Sequence, residues 1–116
     1  MLLAMDIGNT KTVLGLFKDD QLIDEWRIRT DVNTTVDEYG IAIRSLFSAH
    51  AHPIEQVRHV IISCVVPPVL NALERFCSKY FNIAPIIVGP GIRTGMPIFY
   101  DNPKEVGADR IVNAIA

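Results

Sequence analysis

The chain has 116 residues, of which 49% are hydrophobic and 21% charged, and its formal net charge is −2. This composition excludes a disordered tail and a low-complexity linker, and the lack of a basic block argues against a nucleic-acid partner. No apolar run approaches the roughly 20 residues of a membrane helix, and residues 2–5 are too few for the core of a signal peptide. We therefore expect one cytoplasmic domain with a sizeable core and no membrane partner.

The beginning of the chain predicts an antiparallel meander of three strands. Strand patterns cover residues 2–7 and 12–17, with Gly8-Asn9-Thr10-Lys11 between them. Gly8-Asn9 indicates a hairpin turn because both residues tolerate positive φ. Asp19-Asp20 marks the next turn, and residues 22–29 alternate like a half-buried strand. One face of this third strand is expected to carry Leu22, Trp26 and Ile28.

Two helices and two further strands are predicted next. A capping box from Thr35 to Glu38 starts the first helix, and Pro67-Pro68 starts the second, since proline suits the first helical turn. Between them, residues 58–66 are rich in β-branched side chains, as expected of a strand buried on both faces. Residues 86–88 form a short strand after the second helix.

The end of the chain predicts a third helix, with Asn102 as its cap, Pro103 in its first turn and Glu105 as its third residue. The element order is then βββαβαβα. A meander continued through helical crossovers implies an α/β domain with a mixed sheet, in which antiparallel strands are followed by parallel ones. This order resembles the ribonuclease-H-like plan.

Asp6-Ile7-Gly8-Asn9-Thr10 is the first candidate site. It places a carboxylate at a strand end, before a turn whose backbone N–H groups and polar side chains can cradle phosphate oxygens. Asp6 can hold a hydrated Mg²⁺, which usually binds one or two carboxylates together with substrate phosphates, and Lys11 can add positive charge. The alternative is an ordinary hairpin turn in which Asp6 bonds only the backbone.

The segment from Tyr100 to Arg110 is the second candidate site. Asp109 and Arg110 stand on the first turns of the predicted third helix, where the helix dipole favours anions, and Gly107 allows a ligand close to the backbone. Asp109 can accept a hydroxyl proton while Arg110 binds a carboxylate or phosphate. The alternative is an acid that complements the dipole beside a solvated arginine.

Other patterns are interpreted as structural. The glycines at positions 89, 91 and 95 miss the spacing of a dinucleotide loop, and His50, His52 and His59 lack partners at metal-ligand spacing. Ser63 and Cys64 lie near a strand end without a visible histidine partner, which favours a structural or substrate-lining role. The two cysteines, Cys64 and Cys77, are expected to be buried thiols without a disulfide.

Three motifs together resemble those of type III pantothenate kinase. They are Asp6-Ile7-Gly8-Asn9-Thr10, Ile62-Ser63-Cys64-Val65-Val66-Pro67 and Tyr100-x-Asn102-Pro103-x-x-Val106-Gly107-Ala108-Asp109-Arg110. The last motif is the most specific, whereas the first is shared with actin, sugar kinases and heat-shock ATPases. The resemblance implies ATP-dependent phosphorylation of pantothenate to 4′-phosphopantothenate, the first committed step towards coenzyme A. The implied cofactors are ATP, Mg²⁺ and a monovalent cation, K⁺ or NH₄⁺.

The resemblance also implies roles for individual residues. Asp6 would belong to the phosphate and Mg²⁺ site, and the transferring phosphoryl group would be surrounded by Gly8, Asn9, Thr10 and Lys11. Asp109 would be the base on the pantothenate hydroxyl, and pantothenate would be contacted by Tyr100, Gly107, Ala108 and Arg110. These parts suit phosphoryl transfer, which needs mainly positioning and charge stabilisation.

The length departs from the family's pattern, because members have a second actin-like domain with the adenosine-binding motif and most of a dimer interface. We therefore expect residues 1–116 to be the N-terminal domain of a two-domain kinase that is a homodimer at full length, and to be inactive alone. Two alternatives stay open. One is a non-catalytic binding protein resembling Bvg accessory factor, and the other is a kinase of the same superfamily that acts on another small hydroxylated substrate.

Overall fold

The fold is seen in a computed structural model that describes residues 1–88. Its elements are β1 (Leu2–Ile7), β2 (Lys11–Lys18), β3 (Gln21–Arg29), α1 (Val36–Ala49), a 3₁₀ turn (Ile54–Gln56), β4 (His59–Cys64), α2 (Pro67–Phe76), a π-helical turn (Cys77–Phe81) and β5 (Ile86–Val88). The predicted third helix lies outside the described residues. Within residues 1–88, no helix is long and apolar enough to span a membrane.

The strands of this described part form one mixed sheet in the order β3-β2-β1-β4-β5. β2 pairs antiparallel with both β1 and β3, whereas β4 pairs parallel with both β1 and β5. The antiparallel meander is thus continued by parallel strands, with α2 in the crossover from β4 to β5. This agrees with the mixed α/β sheet that the sequence predicts.

Alternation along the central strands separates two faces of the sheet. One face belongs to the main core, which joins strand residues such as Leu3, Met5 and Ile62 to helix residues such as Phe47 and Phe76. The opposite face carries a smaller buried apolar set, namely Ala4, Val13, Phe17, Ile61 and Val88. Because side chains alternate along a strand, Asp6 and Ser63 belong to this second face.

A β-bulge in β3 contradicts one prediction. Between consecutive residues of β2 the pairing partner changes from Asp24 to Leu22, so Ile23 is an extra residue. A one-residue shift moves the following side chain to the other face of a sheet. Leu22 therefore lies opposite Phe17 and is 43% exposed, and the prediction that it shares a face with Trp26 is wrong.

The two hairpins of the meander use different turns. Asp19 and Asp20 both have positive φ, 50° and 66°, and form the two-residue connection typical of a type I′ hairpin. Asn9 does not have positive φ. The chain does reverse between β1 and β2, at Asn9-Thr10, but neither Gly8 nor Asn9 adopts the positive φ that the sequence signal allows.

The helix starts follow the sequence signals. The capping box of α1 is present, because Glu38 N donates to Thr35 Oγ1 at 3.1 Å and Thr35 N donates to Glu38 Oε1 at 2.9 Å. α2 begins at Pro67 as predicted, and Val66 is its N-cap residue. β4 consequently ends at Cys64 and not at Val66, since the backbone must already turn into the helix.

Candidate functional site

Asp6 lies near the carboxyl end of β1, the central strand of the sheet. It pairs with Val13 of β2 on one side and with Ser63 of β4 on the other, and its side chain is half-buried. Because β1 and β4 are parallel, their carboxyl ends meet at one edge, which is where open α/β sheets bind ligands. The structure therefore places the first predicted carboxylate at the carboxyl edge of the parallel strands, where sheets of this type usually bind ligands.

The turn that follows Asp6 is closed by a hydrogen bond from Gly8 N to the carbonyl oxygen of Lys11 at 3.0 Å. A Cβ at position 8 would lie 3.3 Å from that oxygen, a tight approach that favours glycine. This bond occupies the Gly8 N–H within the turn. The side chains of Asn9, Thr10 and Lys11 are exposed at the turn.

A pair of hydroxyl groups supports the base of this turn. Thr12 is 1% exposed, and its Oγ1 lies 2.8 Å from Oγ1 of Thr30. Thr30 N also donates to the carbonyl oxygen of Thr10 at 3.0 Å. These bonds fix the start of β2 to the end of β3, so the exposed side chains of the turn stand on an ordered base.

β4 ends at the same edge with Ser63 and Cys64. Cys64 Sγ donates to the carbonyl oxygen of Val66 at 3.1 Å and accepts from Val66 N at 3.3 Å. Burial raises the pKa of the Cys64 thiol, which keeps it protonated and unsuited to nucleophilic attack. Cys64 and Cys77 are both free, as predicted, and a structural role for Cys64 is supported. Ser63 is 1% exposed, and its Oγ has no hydrogen-bond partner among the described residues.

Tyr39 is buried in the first turn of α1. Burial raises the pKa of Tyr39 in spite of a hydrogen bond with Thr34 that lowers it, and the nearby Cys64 and Asp31 add to the rise. The phenol is therefore a neutral hydroxyl near the carboxyl end of β4. The sequence pattern gives no signal for this placement of Tyr39, because apolar periodicity carries no information on polar neighbours.

His50 and His52 lie elsewhere, around Trp26, and His59 is exposed at the start of β4. His52 Nε2 is 3.0 Å from Asp24 Oδ2, and Trp26 Nε1 lies 3.3 Å from His50 Nδ1. These contacts join the segment after α1 to β3. Across residues 1–88, the structure contains no group of three or more histidine, cysteine or acidic side chains placed to hold a metal ion.

The second candidate motif lies outside the described residues, and so do Gly89, Gly91 and Gly95. This applies to the proposed base Asp109 and to the residues expected to contact pantothenate, namely Tyr100, Gly107, Ala108 and Arg110. The structure thus positions the Asp6 motif together with the end of β4.

The chain is similar to known proteins over its full length. Over its full length the chain is 80% identical to a type III pantothenate kinase of Syntrophobacter fumaroxidans and 61% identical to one of Syntrophus aciditrophicus, covering 45% and 46% of these relatives. The chain therefore spans about half the length of the curated relatives it matches. A solved structure of a candidate N-acetylglucosamine kinase from Porphyromonas gingivalis has a TM-score of 0.58 and 18% identity, and covers 88% of this chain and 38% of that one.

The structural match shows a shared fold with a sugar-kinase-type protein, while the identities to the curated relatives are far higher. The model of one family, described as type III pantothenate kinase, matches residues 2–116. That match includes both candidate motifs, from Asp6 to Arg110. The chain belongs to the type III pantothenate kinase family.

Proposed function

We propose that this chain supplies the phosphate and acceptor motifs of an ATP-dependent kinase that converts pantothenate to 4′-phosphopantothenate in coenzyme A biosynthesis. The observation that carries the proposal is the position of Asp6, at the carboxyl edge of the sheet and directly before a turn with exposed polar side chains. Family membership supports the choice of pantothenate as acceptor. The activity belongs to a protein about twice this length, as the curated relatives are.

In the same proposal, residues 1–116 form the N-terminal ribonuclease-H-like domain of a two-domain, actin-like kinase. The strand order β3-β2-β1-β4-β5 with its antiparallel meander supports this fold. A second domain would complete the nucleotide site across the carboxyl edge. The full-length kinase is proposed to be a homodimer in the cytoplasm, and the two free thiols suit a reducing compartment.

Asp6 has the chemistry that a Mg²⁺ site needs. Mg²⁺ prefers oxygen ligands and is usually held by one or two carboxylates together with substrate phosphates, and Asp6 offers one half-buried carboxylate at the ligand edge. Bound there, Mg²⁺ would neutralise charge on the transferring phosphoryl group. Asp6 would orient this site, while Asn9, Thr10 and Lys11 would hold phosphate oxygens. A monovalent cation, K⁺ or NH₄⁺, is part of the proposal without an assigned ligand.

The acceptor half of the reaction is assigned to the second motif by its match to the family. The Asp109 carboxylate would take the proton of the pantothenate 4′-hydroxyl as that oxygen bonds to the γ-phosphorus of ATP. The bond from the γ-phosphorus to the bridging oxygen breaks at the same stage, and ADP leaves. Arg110, with Tyr100, Gly107 and Ala108, would hold pantothenate so that its hydroxyl is in line.

The proposal is tested on a completed protein, in which residues 1–116 are followed by the part of the Syntrophobacter fumaroxidans relative that this chain does not cover. A coupled assay measures ADP release with and without pantothenate, and with K⁺ or Na⁺. We expect release that requires pantothenate and is faster in K⁺. The unmodified relative is the control for the assay. Release that requires a different acceptor, or binding without any release, would contradict the proposal.

A further inference from the structure

Ser63 has a property that its neighbours at the carboxyl edge do not share. It is 1% exposed, and its Oγ is a buried side-chain polar atom without a hydrogen-bond partner among the described residues. A buried hydroxyl without a partner destabilises a fold, so native structures rarely keep one without a use. Alanine would fit the same position without that cost.

Other polar side chains in this region do have partners. The equally buried Thr12 shares a hydrogen bond of 2.8 Å with Thr30, and the thiol of Cys64 donates to Val66. In this region, buried polar groups with a structural role therefore have hydrogen-bond partners. This contrast indicates a different role for the hydroxyl of Ser63.

The position of Ser63 relates it directly to Asp6. The two residues are partners in the parallel pairing of β1 with β4. Paired residues of neighbouring strands place their side chains on the same face, at a spacing that one hydroxyl and one carboxylate can bridge by a change of side-chain rotamer. Asp6 is half-buried and accessible from the edge, whereas Ser63 lies beneath the surface.

We propose that Ser63 is a positioning residue for the Asp6 carboxylate. Its hydroxyl donates to one carboxylate oxygen when Asp6 turns towards a bound divalent cation, and this leaves the other oxygen directed at the cation. The proposal rests on the Mg²⁺ site of the proposed function. Hydrogen-bonding partners of metal ligands typically change metal affinity by ~10–100-fold when removed, because they fix the orientation of the ligand.

The test compares Ser63→Ala, which removes the donor, with Ser63→Thr, which keeps it. In the completed protein, calorimetry follows binding of a non-hydrolysable ATP analogue as the Mg²⁺ concentration is varied. We expect Ser63→Ala to raise the Mg²⁺ concentration for half-maximal binding ~10-fold, and Ser63→Thr to stay within about twofold of wild type. The melting temperature of Ser63→Ala should equal or exceed that of wild type, since the variant loses an unpartnered hydroxyl.

An unchanged Mg²⁺ dependence in Ser63→Ala would overturn the proposal, and so would a lowered melting temperature with equal Mg²⁺ dependence in both variants. Failure of the proposed function has a separate signature. In that case the wild-type completed protein binds the nucleotide with Mg²⁺ but releases no ADP when pantothenate is added. The Ser63 comparison still gives a result there, because it measures binding and not turnover.

Discussion

The ring of Tyr80 packs so closely over Gly40 that a Cβ on Gly40 would lie 2.5 Å from Tyr80 Cζ. The Tyr80 hydroxyl donates to Asp37 Oδ1 at 2.8 Å, and Lys79 Nζ donates to the same oxygen at 2.6 Å. This contact joins the first turns of α1 to the π-helical turn after α2. The two helical segments are therefore held together at a position where any side chain on residue 40 would displace the Tyr80 ring.

Gly40→Ala is expected to destabilise the chain by about 1–3 kcal/mol, because the new methyl group overpacks the contact between α1 and the Tyr80 ring. Urea unfolding of the 116-residue chain measures this. In a Tyr80→Ala background the clash is gone, and Gly40→Ala should stabilise α1 by about 0.5–1 kcal/mol through its higher helix propensity. A loss of the same size in both backgrounds would contradict the contact.

Asp24 should make the stability of the chain depend on acid pH. Burial raises its pKa, but the hydrogen bonds from His52 and Glu25 N and the charges of His50 and His52 outweigh burial and lower the pKa. A carboxyl with a depressed folded-state pKa contributes stability above its unfolded pKa of about 4 and loses that contribution as the pH falls through the folded value.

The matching variant is Asp24→Asn, studied by urea unfolding between neutral pH and about pH 3, the range in which the carboxylate becomes protonated. We expect the variant to be less stable than wild type at neutral pH, and the difference to shrink as the pH falls. Asp20→Asn, in the exposed turn of the second hairpin, is a control of the same charge change. A difference between Asp24→Asn and wild type that is constant over this range would contradict the predicted pKa shift.

Asp109→Asn in the completed protein is expected to lower kcat by ~10²–10⁴-fold, the usual contribution of a general base. The binding of pantothenate should change little, because Arg110 and the rest of the motif are retained. ADP release gives kcat, and calorimetry gives the affinity for pantothenate. Asp101→Asn, in the same motif, is the matched control and should keep kcat near the wild-type value. An unchanged kcat in Asp109→Asn would show that Asp109 is not the base.

Local signals in the sequence predicted much of the fold. The capping box at Thr35 and Glu38 and the prolines that begin α2 act within a few residues, and the structure shows both helix starts as expected. The β-branched residues of β4 also predicted its burial on both faces. These features depend on chain-local geometry and on burial, which a residue pattern expresses directly.

Features that depend on contacts between distant residues could not be predicted in this way. The bulge at Ile23 is a matter of register between β2 and β3, and it moved Leu22 to the other face of the sheet. In the candidate site, the carboxylate of Asp6 was recognised from its motif, whereas the unpartnered hydroxyl of Ser63 was visible only once β1 and β4 were paired. The occupied N–H of Gly8 likewise depends on the closure of the turn.

Asp6 is proposed to form the phosphate and Mg²⁺ site of a pantothenate kinase, and pantothenate-dependent ADP release by the completed protein with Asp6→Asn tests this role. We predict a loss of at least ~100-fold in kcat, as expected when one preorganised electrostatic contact to the transition state is removed, with little change in pantothenate affinity. Asp20→Asn, with the same charge change in the turn between β2 and β3, should keep full activity. An Asp6→Asn variant that releases ADP at the wild-type rate would contradict the account.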